Sequence, residues 1–365
     1  MKKGATHPFF IKKLNQMMMR RNGTTMTLDV NAVISALKAF QIDELFQIMT
    51  AATTEMEQRT KDVKPEKPCE DMEGVADIDA FFTTSTRNLN DATNKVREKV
   101  LKVICQPPQA YLEHETYGQS WRTVHQAWND ALRRIATETG IFEYTSTRID
   151  VRGGRGFNYD ADVTYFSEYE TSNRKIEFKN GGTNIGDLPQ FLSLQAKIQL
   201  FEETYDSFWY EKYLDKYLAC DAEITEPKPE RELYLKKVTS TVYAITPFFA
   251  QLKSRELFFQ KEKNEVVNAS IADYLTTYGH TINREAFSEK VKATQTDKIY
   301  LLWSNGTFHI DKVREQEMTE MTFHSIKNGN ILELKSGRTI YGLLLRWRNH
   351  KGILNPAWQI SMKRQ

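Results

Sequence analysis

The chain has 365 residues, 40% hydrophobic and 27% charged, a balance that allows a full core and excludes wholesale disorder. A formal net charge of +2 excludes a global basic field, so contact with nucleic acid would have to come from local patches. Three scattered cysteines without a CxxC or Cys/His cluster exclude a disulfide framework and a structural zinc site, and no run of 18 apolar residues or apolar leader occurs.

That pattern implies a soluble, intracellular protein with no membrane partner. Residues 1–22 carry six Lys and Arg and no acid, either a solvated terminus or a phosphate-binding arm. Over 30–58, Val33, Leu37, Phe40, Leu45, Ile48 and Met49 recur at helical spacing. Charges and prolines in 60–74 and again in 221–232 read as linkers. Between them, Trp121, His125, Trp128, Leu132 and Ile135 form one stripe of a helix over 118–139, which Gly140 closes.

After Gly140 the period shortens to two. Arg148 to Val151 reads as a strand, Gly153 to Gly156 as a turn, and Phe157 to Tyr165 as a partner strand. In that partner strand Asp160 and Asp162 project from one side, about 7 Å apart. A polar loop over Glu170 to Asn173 leads to Lys175–Lys179, where Lys175, Glu177 and Lys179 point opposite to Ile176 and Phe178. Pro189 is expected to open a helix whose Phe191, Leu194, Ile198 and Phe201 cover the sheet.

The C-terminal third is expected to be a small β-rich module. Leu233 to Ile245 reads as a strand, and Ser304-Asn305-Gly306 between Tyr300–Trp303 and Phe308–Ile310 is a hairpin signal. Segments 331–334, 339–345 and 358–362 read as further strands. From 331 to 365, seven basic residues stand against one acid, a net +6. Arg346-Trp347-Arg348, with Lys351 close behind, sets an aromatic between cations. That suits phosphate contact and base stacking, or equally a basic loop with Trp347 in the core.

The informative constellation is the hairpin. If its two strands pair antiparallel, Asp162, Glu177 and Lys179 share one polar face. Two carboxylates suit a hard divalent cation beside a phosphate, and the lysine can orient or deprotonate a water and offset developing charge. A solvent-facing hairpin with cross-strand ion pairs has the same pattern.

Strand–Asp followed by strand–Glu-x-Lys and a helix resembles the PD-(D/E)xK nuclease superfamily, which includes restriction endonucleases. The resemblance covers about residues 110–205, with Asp162, Glu177 and Lys179 as the matching residues and Ala161 where a proline is expected. It implies an α/β (α+β) fold, a restriction-endonuclease-like mixed sheet flanked by helices; the rest of the chain, which the resemblance does not explain, reads as an N-terminal helical module and a C-terminal β-rich module. The corresponding domains are 1–75, 76–232 and 233–365.

The resemblance further implies Mg²⁺, for which Mn²⁺ can substitute, held by Asp162, Glu177 and the Phe178 carbonyl. Asp160 is then a second ligand or a partner of Lys179. Glu115, rather than Glu113 or Glu143, is the expected upstream acid, and Gln195 the expected contact to the metal-bound water or the DNA backbone. From their own basic character rather than from the resemblance, Arg155, Arg346, Arg348 and Lys351 are the expected DNA contacts. The implied activity is site-specific DNA hydrolysis by a homodimer. The alternatives are an RNA endonuclease of the cap-snatching kind, with His125 as a metal ligand, and a non-catalytic nucleic-acid-binding or scaffold protein.

Overall fold

The computed structural model describes residues 73–83, 90–152, 157–168, 170–240, 246–349 and 351–365. The chain divides into two units, Met1–Asp71 and Met72–Gln365, and every described residue belongs to the second. The basic arm, the helix expected over 30–58, Cys69 and Arg155 lie outside the described residues.

The described residues form a mixed α+β unit with helices and two five-stranded sheets. After a 3-10 helix, Val75–Phe81, come α1 (Asn90–Val103), α2 (Gln109–Leu112) and α3 (Gly118–Glu138). Helix α3 forms where the sequence predicts it. Trp121, Val124, Trp128, Ala131, Leu132 and Ile135 are buried along one face, and Gly140 follows the C-cap at φ +75°, a left-handed backbone that favours glycine.

The strands β1 (Ser146–Val151), β2 (Ala161–Phe166) and β3 (Thr171–Asn180) follow, each antiparallel to the one before. The expected polar loop over 170–173 is shorter, because β3 already begins at Thr171. Strands β4 (Leu192–Gln195), β5 (Lys298–Ser304), β6 (Thr307–Asp311), β7 (Thr322–Lys327), β8 (Ile331–Ser336), β9 (Thr339–Asn349) and β10 (Leu354–Arg364) complete the set. One sheet has the order β1-β2-β3-β5-β6 and the other β4-β10-β9-β8-β7. The hairpin at Asn305-Gly306 is as expected, both residues having positive φ and joining β5 to β6.

Strand β5 decides the architecture. It pairs parallel with β3, and its residues from Lys298 to Trp303 are all buried, as in a strand covered on both faces. Ile299, Leu301 and Trp303 enter a core with the α3 stripe, Ala161, Ile176 and Phe178. Tyr300 and Leu302 enter a second core with the other sheet and its helices. The expected boundary at 232/233 is therefore not present: the sheet that carries Glu177 is completed by residues 298–311.

Helices α4 (Tyr205–Lys212), α5 (Leu214–Leu218), α6 (Arg231–Val238), α7 (Pro247–Ser254), α8 (Gln260–Tyr278) and α9 (Arg284–Gln295) lie between β4 and β5 in the chain. Three expectations fail in this region. The strand over 233–245 is instead α6 as far as Val238, with Tyr234 and Val238 buried at i, i+4. The linker 221–232 is packed, since Asp221 is buried against Arg255 at 2.7 Å and Lys263 at 3.1 Å. The helix expected after Pro189 is the edge strand β4, paired with Ala357–Ile360 of β10. That partner is over 160 residues away, and no local period reports it. Among the described residues no helix is long and apolar enough to cross a membrane.

Candidate functional site

The site grows out of the β2–β3 hairpin and its register. Ala161 faces Ile176 and Asp162 faces Lys175, so the next step along the hairpin sets Asp160 opposite Glu177. Asp160 is tied there twice. Its N–H donates to the Ile176 carbonyl at 2.9 Å, and its Oδ2 accepts from the Phe178 N–H at 2.8 Å. In the β3–β5 register Glu177 neighbours Tyr300 and Lys179 neighbours Leu302, which fixes the polar face on the side of the second core.

Glu177 is held between two ammonium groups. Lys179 Nζ lies 2.6 Å from Oε1 and Lys298 Nζ lies 3.0 Å from Oε2. The Lys298 side chain is only 3% exposed and also donates to the Asn158 carbonyl. Lys298 thereby ties the start of β5 both to Glu177 and to the bend that carries Asp160. A buried ammonium persists only when its charge and protons are matched.

An open cleft of about 440 Å³ lies over this group. Its acidic lining is Glu98, Asp160 and Glu177, and its cations are Arg152 and Lys298. Glu98 comes from α1. Burial, then Glu177, with a smaller push from Glu98, raises the Asp160 carboxyl to about 6, against the pull of Lys179 and the Phe178 N–H. Burial works to lower Lys179, but Glu177, Asp160 and Glu98 outweigh it and hold the ammonium above its ordinary value. Burial first, then the charges of Glu177 and Asp160, raise the Tyr300 hydroxyl.

The structure thus brings Asp160, Glu177 and Lys179 together, but not Asp162. Asp162 is buried beside Lys175 in the register, yet its Oδ2 pairs with Arg152 Nε at 2.5 Å and accepts from the Tyr159 hydroxyl at 3.2 Å. Lys175 turns to Asp297 at 2.6 Å. Asp160, not Asp162, thus stands opposite Glu177: alternation puts both on one face, and register decides which of them meets Glu177.

The other residues singled out in the sequence lie away from this group. Glu115 is exposed in the turn before α3 and does not line the cleft; Glu98 is the upstream acid that does. Gln195 is exposed on the edge strand β4 of the other sheet. His125 Nδ1 lies 2.6 Å from the Ile104 carbonyl and its Nε2 3.1 Å from Asn129, which makes it a satisfied histidine between α1 and α3. Arg348 and Lys351 are exposed and Arg346 is half-buried, all outside the cleft lining. Trp347 packs against the second core and donates to the Tyr205 hydroxyl at 3.1 Å.

Sequence reasoning missed Glu98, Lys298 and Arg152. Only Lys298 had a signal: a lysine heading the apolar run Ile299–Trp303 has to be buried and paired. Glu98 looks like any acid on an amphipathic helix.

Among the described residues no group of three or more His, Cys, Asp or Glu stands ready to hold a metal ion. The donor chemistry nevertheless suits a hard cation. Asp160 is kept protonatable by burial first and then by Glu177 and, least, Glu98, and a bound cation would relieve the repulsion between these carboxylates. The Phe178 N–H is turned toward Asp160, and the carbonyl of the same residue in an extended strand faces the same way. It lies past the last β2 pair, Ala161 with Ile176. Asp160, Glu177 and that carbonyl form an oxygen-only set.

No protein-family model matches the chain, and no curated protein matches it.

Proposed function

We propose that this protein is a Mg²⁺-dependent endonuclease that hydrolyses phosphodiester bonds in DNA, with Asp160, Glu177 and Lys179 at its centre. The observation that carries this reading is the hairpin register. It sets an aspartate opposite the glutamate of a Glu-Phe-Lys triplet, both carboxylates lining an open cleft and the lysine bonded to that glutamate. The resemblance to PD-(D/E)xK nucleases is kept, with Asp160 in the place first assigned to Asp162. The mixed sheet with a helix-covered face agrees with it.

Asp160, Glu177 and the Phe178 carbonyl would hold the cation. When bound, Mg²⁺ supplies charge neutralisation at the phosphate and acidifies a water. Lys179 is an ammonium throughout the neutral range, because its acidic neighbours outweigh burial. It therefore stabilises negative charge on the phosphoryl oxygens and orients the attacking water by donating to it; it does not take the water's proton. Lys298 and Glu98 act through others: Lys298 fixes the Glu177 carboxylate and the 158–160 bend, and Glu98 adds negative potential at Asp160. In the reaction a water oxygen bonds to phosphorus as one ester P–O bond breaks. The water's proton leaves to solvent through the open cleft, and the departing sugar oxygen takes one up.

Cleavage of a mixed panel of DNA and RNA with Mg²⁺ tests this reading. DNA cleavage that Mn²⁺ also supports and a chelator stops is the expected result. Ca²⁺ should bind with little turnover, since its loose geometry activates water poorly. Cleavage that survives excess chelator, or no cleavage of any substrate with any divalent metal, would overturn it. Cleavage confined to RNA would shift the substrate.

A further inference from the structure

Part of the cleft lining beside the carboxylates is aromatic and cationic. Phe157 is 46% exposed, unusual for a large apolar side chain inside a cleft. The Arg152 guanidinium lies 5.3 Å from its ring centroid. Tyr159 meets Phe157 edge-on at 5.5 Å and 70°, and Lys175 Nζ stands 5.5 Å from the Tyr159 ring. Phe157, Arg152 and Tyr159 all line the cleft that Asp160 and Glu177 also line.

This wall is held from behind by Asp162. Its buried carboxylate takes Arg152 Nε and the Tyr159 hydroxyl on the same oxygen, which fixes the guanidinium and the phenol relative to each other. The Asp162 pairing also holds Arg152 in its charged form, first through that hydrogen bond. A buried acid that orients a partly exposed arginine beside an exposed ring is a different device from a metal ligand, and it gives Asp162 a task.

We infer that the Phe157–Arg152–Tyr159 wall binds an unpaired nucleotide, its base stacked on Phe157 and the neighbouring phosphate lying toward Arg152, so that the substrate is single-stranded or locally unpaired nucleic acid. This rests on the nuclease reading for its chemistry but departs from the duplex, site-reading subtype. Both faces of a base inside a duplex are already stacked, whereas an unpaired base offers its π-face to any exposed aromatic ring. Stacking tolerates all four bases, so discrimination would be by strand state rather than by sequence. Asp162 is the positioning residue of the wall.

The test uses the full chain with Glu177→Gln, which silences turnover, and a single strand carrying 2-aminopurine, whose fluorescence falls when it stacks. The expected results are quenching on the single strand and weaker binding of the matching blunt duplex. Phe157→Ala should abolish the quenching and weaken single-strand binding by roughly five- to a hundredfold, with little change on the duplex. Phe157→Trp should retain both signals, and Asp162→Asn should give an intermediate loss with residual quenching. Since Phe157 is exposed, circular dichroism and melting of its variants should match the parent. Unquenched fluorescence on binding, duplex bound as tightly as single strand, or an unchanged affinity in Phe157→Ala would each overturn the inference. Failure of the wild type to cleave either strand state, with quenching intact, would remove the nuclease reading and leave the stacking wall standing.

Discussion

Arg346-Trp347-Arg348 and the pair Arg152 and Phe157 each put an arginine beside an aromatic ring, and they do opposite things. At Arg346-Trp347-Arg348 the residues are adjacent in sequence, but the half-buried ring packs against the second core. Trp347 meets Trp209 at 5.1 Å and donates to Tyr205, so the indole is spent on the second core. At Arg152 and Phe157 the residues are five apart, and the ring stays exposed in a cleft with the guanidinium against it. A basic–aromatic triplet in sequence reports composition. Which face of a strand the ring takes, and what waits there, decides whether it can stack on a base.

The largest effect should come from the cleft's chemistry. Lys179→Met is expected to lower cleavage on the order of 10²- to 10³-fold, the usual cost of removing one transition-state donor. Binding of the single strand should change far less. Single-turnover rates beside equilibrium binding would read this; an equal loss in both would make Lys179 a binding contact only.

Next comes the comparison of the two rings by stability. Trp347→Ala should lower the unfolding free energy by roughly 2–4 kcal/mol, as for a large side chain packed in a core, while Phe157→Ala should stay within about 0.5 kcal/mol of the parent. Denaturant titrations of both variants would decide it. A large loss for Phe157→Ala would mean that the cleft wall is structural.

Asp160 carries a smaller and oppositely signed effect. Its carboxyl titrates at about 6 in the folded chain, above its unfolded value, so the folded state binds the extra proton. Its stabilising contribution is full below about pH 4 and is lost as pH rises through about 6. Asp160→Asn should therefore stabilise the protein above pH 6, by roughly 1–3 kcal/mol in the absence of divalent metal. The gain should vanish near pH 4. Melting curves across pH would read it, and a pH-independent difference would contradict the burial of Asp160 beside Glu177 and Glu98.

The smallest effect is expected at the end of β9 and just past it. Replacing Arg346, Arg348 and Lys351 together by alanine should change the salt slope for a short single strand by less than about 0.7, the share of one phosphate contact on single strands. A change near about 2 would place three contacts there and make β9 part of the nucleic-acid surface.

How much of this was legible depended on sequence distance. Helix α3, the β1–β2–β3 hairpins and the turn at Asn305-Gly306 could be read because each is specified within about twenty residues, by period or by turn chemistry. The shared face of Glu177 and Lys179 followed from alternation alone. Choosing between Asp160 and Asp162 did not, because both alternate onto the same face and only register separates them. Edge strand β4 and central strand β5 were misplaced because their partners, β10 and β3, are more than a hundred residues away. The same long-range pairing brought Lys298 to Glu177, and helix packing brought Glu98 to Asp160.

The most direct test of the central claim compares Asp160→Asn with Asp162→Asn. Mg²⁺-dependent cleavage of single-stranded DNA would be measured at saturating substrate, alongside metal affinity by calorimetry with the strand bound. Asp160→Asn is expected to lose both turnover and Mg²⁺ binding. Asp162→Asn should keep Mg²⁺ binding and measurable turnover, losing chiefly affinity for the strand. Loss of Mg²⁺ binding in Asp162→Asn, with turnover intact in Asp160→Asn, would contradict the site as drawn from the hairpin register.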